Sequence, residues 1–97
     1  MSAYVLVDVE ITDPAGYEEY RKLTYPVIAE FGGKYIVRGG AAETLEGDWK
    51  VNRLVIVEFE SLTRAREWYH SIEYRPALEV IRRCARRHLI IIEGLSA

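Results

Sequence analysis

Four segments of alternating apolar and polar residues, with helix-patterned stretches after the first and third, predict an α+β fold. The sheet should be four-stranded and antiparallel, with its helices on one face. The length, 97 residues, predicts one domain spanning residues 1–97, able to bury roughly 65% of the surface its unfolded form exposes. Thirteen Lys plus Arg against fifteen Asp plus Glu leave a net charge of −2. No general field then draws the chain to phosphate backbones or anionic lipid, so no nucleic-acid or membrane role is expected. Apolar residues at 49% and charged residues at 29% describe a chain able to form a packed core. No apolar run nears the roughly 20 residues that span a bilayer. The opening Met1-Ser2-Ala3-Tyr4 lacks a basic leader, and the single Cys84 excludes an internal disulfide framework. Both features lead us to expect a cytoplasmic protein.

Each element follows from local pattern. Tyr4 to Ile11 alternates strictly, with Val5, Val7, Val9 and Ile11 on one side and Tyr4, Leu6, Asp8 and Glu10 on the other. Asp13 is a candidate cap and Pro14 suits a first helical position. Tyr17, Tyr20, Thr24, Val27, Ile28 and Phe31 then recur at helical spacing until Gly32-Gly33. Pro26 lies inside that pattern and predicts a kink or break near Leu23 to Pro26. Lys34 to Arg38 reads as a second strand, with Tyr35 and Val37 on one face and Lys34, Ile36 and Arg38 on the other. Ala41 to Lys50 reads as a loop, with a short extended stretch expected around Glu43 to Glu46. Arg53 to Glu60 is the strongest strand. Ser61 is the next candidate cap, before a helix striped by Leu62, Ala65, Trp68 and Tyr69. Ser71 to Glu73 breaks that helix, Pro76 opens another through Cys84/Ala85, and His88 to Glu93 forms the last strand. The order β-α-β-β-α-β, with its second helical region split in two, is that of the ferredoxin-like fold.

Two helical regions cover only one face of such a sheet. The opposite face should be polar if it met only water, yet Tyr4, Leu6, Ile36, Leu54 and Ile56 stand there among Asp8, Arg38 and Glu58. That is more apolar surface than a monomer usually leaves open, and a second copy of the same sheet is the simplest cover. Charges enclosed by it must pair, reach the rim or meet a ligand, because an unpaired buried charge is costly. Arg38 with Asp8 or Glu58 is the pairing expected.

Familiar catalytic signatures are absent: no H-E-x-x-H, P-loop, nucleophile elbow or Cys-x-x-Cys. His70 ends a helix and His88 begins a strand. Neither has a second histidine at ligand spacing, so no metal or cofactor is expected. Cys84 falls on an apolar helix side, as a small core residue would. Arg82, Arg83, Arg86 and Arg87 form a basic helical stripe, read as a solvated face. Trp49, in a loop after Gly47-Asp48, must pack somewhere: on its own subunit, at a pocket mouth or at a dimer seam.

The run from Gly32 to Gly40, Leu45-Glu46-Gly47-Asp48-Trp49, Arg53 to Phe59, and Trp68-Tyr69-His70-Ser71-Ile72-Glu73-Tyr74 together closely resemble the family called domain of unknown function 1330. The resemblance extends from Tyr4 to Gly94. It implies a ferredoxin-like chain that pairs as a dimeric α+β barrel. The wider superfamily holds cofactor-free monooxygenases of aromatic polyketides, haem-degrading enzymes, lactone isomerases and small ligand-binding regulators. The family's characteristic positions correspond here to Arg38, Glu46, Trp49, Arg53, Glu58, Ser71 and Tyr74. A fold shared by so many activities does not select one.

Three roles stay open at this point. The first is a homodimer with a small-molecule pocket between sheet and helices in each subunit. Arg38 would hold an anionic group, Glu58 would orient Arg38 or accept from the ligand, and Trp49 and Tyr69 would wall the pocket, with Arg53 and Glu46 joining them. The second is a cofactor-independent monooxygenase or isomerase, with Glu58 or Asp8 as general base through a pKa raised by burial. The third is an assembly module whose enclosed charges only set register.

Overall fold

A computed structural model describes residues 1–95. Its elements are β1 (Ala3–Ile11), α1 (Pro14–Glu30), β2 (Lys34–Arg38), β3 (Leu54–Phe59), α2 (Leu62–His70), α3 (Arg75–Cys84) and β4 (Ala85–Glu93). The four strands form one antiparallel sheet in the order β2-β3-β1-β4, the ferredoxin-like arrangement. Alternation sends Val5, Val7, Val9, Val55, Val57 and Phe59 to the helix side, where all are buried. Trp68, Tyr74 and Ile81 complete the core from the helices.

Helix α1 runs unbroken through Pro26, correcting the expected break. Pro26 withholds one amide from the Lys22 carbonyl, but both residues lie on the exposed side, where water replaces the lost bond. Pro14 opens α1 as expected, whereas the Asp13 side chain makes no capping bond. The Thr12 and Asp13 amides instead both donate to the Cys84 carbonyl, at 2.8 and 3.0 Å. Gly32, at φ 78°, ends α1 in a conformation that side chains resist. Ser61 caps α2 as expected, its Oγ accepting from the Arg64 amide at 3.0 Å. The break between α2 and α3 is held by Ser71, whose Oγ donates to the Trp68 carbonyl and accepts from the Tyr74 amide.

Three further differences from the sequence reading matter for the site. Strand β4 begins at Ala85, directly after α3, rather than at His88. It pairs with β1 over its full length, from Ile11↔Ala85 to Ala3↔Glu93, so Arg86 and Arg87 are strand residues with opposite orientations. Residues 41–50 are exposed and form no strand. Lastly, β2 carries a bulge: Tyr35 pairs with Val57, but Val37 pairs with Ile56 and Arg38 with Val55, leaving Ile36 unmatched. One extra residue exchanges the faces beyond it. Arg38 thereby moves to the helix side, away from Asp8 and Glu58.

Candidate functional site

Helix α1 leans along α3 and makes few close backbone approaches to the sheet, which leaves a cavity beneath it. The floor is five valines of β1 and β3. The roof is Tyr17, Tyr20, Arg21, Thr24, Tyr25 and Ile28, successive residues of one face of α1. Tyr35 and Arg38 close it at β2, Arg87 at β4, and Trp68 of α2 completes the wall. The enclosed space, about 30 Å³, has room for about two water molecules.

The cavity carries positive charge at both sides and no carboxylate in its lining. Arg38 lies opposite Val55, and Arg87 opposite Val9, on the two edge strands of the sheet. Three strand spacings across the sheet, roughly 14 Å, and two residues along it, roughly 7 Å, separate their backbones. The Arg38 guanidinium sits 5.1 and 5.2 Å from the ring centres of Tyr25 and Tyr35. Arg21 donates from Nε to the Tyr25 hydroxyl at 2.8 Å and pairs with exposed Glu18 at 2.9 Å. Arg21, Tyr25 and Arg38 thus form a polar mouth, none of them fully buried.

At the other side, Arg87 donates from Nη1 to the Tyr20 hydroxyl at 3.2 Å and from Nη2 to the Tyr74 hydroxyl at 2.9 Å. Those two hydroxyls lie 2.8 Å apart. No carboxylate among the described residues pairs with Arg38 or Arg87. Burial, with the neighbouring Tyr20 phenol, pushes the Tyr74 hydroxyl well above the ordinary phenol pKa. Burial does the same to Tyr35, next to Tyr20, Tyr25 and Tyr17. Both therefore remain protonated at neutral pH. Among the described residues one buried side-chain donor is unsatisfied: the Trp68 indole Nε1–H, in a residue only 2% exposed. A buried orphan of this kind costs about 1–3 kcal/mol.

The residues singled out from sequence divide between the two faces. Arg38 is at the cavity mouth. Arg53 stands beside the cavity, donating from Nε to the Tyr17 hydroxyl at 3.2 Å. Tyr69 turns away, toward Leu78, Ile81 and Arg82, and Glu46 is exposed in the loop before β3. Asp8, Glu58 and Trp49 belong to the uncovered face. There Asp8 accepts from the Trp49 indole at 2.9 Å and from the Asn52 amide at 3.0 Å. These bonds hold its carboxyl below the usual aspartate range, the reverse of the raised pKa a buried base was expected to have. Glu58 receives a long 3.4 Å bond from the Tyr4 hydroxyl, so neither carboxylate reaches Arg38. His88 faces Asp8 across the β1–β4 ladder and, with Trp49, Leu6 and Ile90, lines a hollow of about 150 Å³. Cys84 is buried, and burial raises its thiol pKa, as suits a core residue.

Arg87, Tyr20, Tyr25 and Arg21 were missed as site residues. The run Arg87, Leu89, Ile91 carried a signal, because its alternation matches Val9, Val7 and Val5 once the strand begins at Ala85.

Solved structures share this architecture. A protein of unknown function from Rhodopseudomonas palustris matches 99% of this chain and 84% of its own, at 22% identity and a TM-score of 0.79. SnoaB, a cofactor-independent oxygenase from Streptomyces nogalater, matches over 99% and 95% at 13% identity and 0.67. A dimeric protein of unknown function and ferredoxin-like fold from Bacteroides fragilis matches over 96% of each chain, at 12% identity and 0.63. At such identities the likeness is one of fold. No curated protein matches the chain. The model of one family aligns with residues 2–95, nearly the whole sequence, and the chain belongs to that family, the domain of unknown function DUF1330.

Proposed function

We propose that the protein binds a small anionic aromatic molecule in the cavity beneath α1. The observation that carries this reading is a lining with three arginines, four tyrosines and no carboxylate. An unpaired guanidinium in a partly desolvated wall favours an anion, and Arg38 at the mouth is placed for a bidentate contact with a carboxylate. A valine floor under tyrosine rings suits a flat apolar body. The space present is smaller than such a ligand, so Arg21, Tyr25 and Arg38 must swing outward on binding. They are the mouth residues least held by the core.

Titration of benzoate into wild type and Arg38→Ala, followed by calorimetry, tests the reading. Loss of one charge-assisted pair should weaken binding by at least tenfold. Equal affinities, or no binding to wild type at millimolar benzoate, would sink it.

The functional unit in this reading is a cytoplasmic homodimer formed through the uncovered sheet face. Ile36, Ile90 and Ile92 are each more than half exposed there, beside Leu6, Leu54 and Ile56. The dimeric ferredoxin-like neighbour supports it by analogy of fold. The oxygenase or isomerase reading needs a base, and both carboxylates named for that task face away from the cavity.

A further inference from the structure

We infer that the ligand carries a second, hydrogen-bond-accepting oxygen at the end remote from its carboxylate, and that the Trp68 indole N–H receives it. This rests on the cavity reading above and specifies the ligand class further: a flat aromatic acid with a keto or similar acceptor oxygen opposite the acid group.

Two independent observations meet here. The first is the unsatisfied donor. Trp68 Nε1 is the one buried side-chain polar atom among the described residues without a partner, and its ring lines the cavity. Buried indole N–H groups are normally paired. The second is the company Trp68 keeps. Its ring lies 4.5 Å from that of Tyr74, whose hydroxyl accepts from Arg87 at 2.9 Å. Arg87 uses its Nη1 and Nη2 on Tyr20 and Tyr74, and a guanidinium has five N–H donors in all, so donors remain. Trp68, stacked on Phe59 of β3 at 5.5 Å, and Arg87 of edge strand β4 thus adjoin one tyrosine, while Arg38 stands on the opposite edge strand β2. Both sides are rich in donors and the middle is apolar, a pattern complementary to a molecule with acceptors at both ends.

The test uses two isosteric acids, 4-acetylbenzoate and 4-isopropenylbenzoate, which differ only by exchange of a carbonyl oxygen for a methylene. The unmodified protein is titrated with each while its indole signals are followed by ¹H–¹⁵N NMR. Trp49→Phe serves only to assign the two signals. The expected result is a downfield shift of the Trp68 N–H with the acetyl compound alone, together with about tenfold tighter binding. Binding of both acids with the same Trp68 response overturns the inference and leaves the anion-binding reading standing. Tighter binding of the acetyl compound with an unmoved Trp68 signal also overturns it, because the oxygen then has another partner. Failure of both acids to bind removes the anion-binding reading, and this inference with it.

Discussion

Arg87 of β4 donates from Nη2 to the hydroxyl of Tyr74 at 2.9 Å, joining the closing strand to the break between α2 and α3. The Arg87 guanidinium has no anionic partner among the described residues, so its desolvation is offset by two hydroxyl acceptors and by the face of the Tyr20 ring, 5.6 Å from its centre. Replacing such a charge with an apolar side chain of similar length is often neutral for stability. Arg87→Met should therefore lose no more than about 1 kcal/mol of unfolding free energy. Its affinity for benzoate, whose one carboxylate is held at Arg38 across the sheet, should change by less than about twofold. Urea denaturation and calorimetry read the two effects separately. A large loss of stability would make Arg87 a structural residue.

Tyr74 itself should be less forgiving. Tyr74→Phe keeps the ring but leaves the Tyr20 hydroxyl and an Arg87 N–H short of a partner. We expect a loss of about 1–2 kcal/mol in urea unfolding. Tyr74→Ala, which also empties a fully buried site, should cost about 3–5 kcal/mol.

Gly39 has φ 74°, and a Cβ placed there would run into the Arg53 guanidinium. Gly39→Ala should cost about 1–2 kcal/mol from the backbone alone. It should also lift Arg53 from the Tyr17 hydroxyl. The neighbouring Gly40 faces open space, so Gly40→Ala should stay within about 0.5 kcal/mol. Thermal unfolding of the pair separates local strain from general loop sensitivity.

The uncovered face predicts a mass. Ile90→Lys places a charge within the apolar part of that face and should convert a dimer to a monomer in native mass spectrometry. Ile72→Lys, equally apolar in origin and 74% exposed in the α2–α3 break, should leave the doubled mass intact. A monomeric wild type would remove the need for a second sheet.

Asp8 supplies a pH dependence with a definite sign. Its bond from Trp49 is the main cause of a carboxyl pKa below the ordinary value, supported by the Asn52 amide. A depressed folded-state pKa contributes stability that is present above the unfolded value, about pH 4, and lost as pH falls through the folded one. Trp49 fluorescence should change over that acidic window. Asp8 followed by ¹³C NMR should titrate at higher pH in Trp49→Phe than in wild type. The same midpoint in both proteins would refute the coupling of Trp49 to Asp8.

The strands and the order of elements were legible because alternation and helical spacing are local properties. Val5-Val7-Val9 and Val55-Val57-Phe59 declare a buried face without reference to any partner. Arg38 was misplaced because pairing register is not local: nothing within Lys34–Arg38 announces that Ile36 will be skipped opposite β3. Arg87 was misplaced for a related reason. Arginines at i and i+4 fit a helix as well as a strand, and only pairing with β1 decides that the helix ends at Cys84. The tyrosine roof was half visible, since Tyr17, Tyr20 and Thr24 were recognised as one face, but not that this face would stand off the sheet. Asp8 and Glu58 were correctly set on the uncovered face, but their expected pairing with Arg38 does not form, because the β2 bulge turns that residue to the other side.

The unmatched Ile36 makes the mouth of the cavity unusually easy to rewrite. Because it lies in an edge strand with only β3 to satisfy, a change of register there leaves the rest of the sheet in place. Pairing Ile36 with Ile56 would absorb the bulge, turn Arg38 outward and bring Val37 in opposite Val55. One local shift of pairing would thus exchange a charged entrance for a greasy one, with no core residue altered.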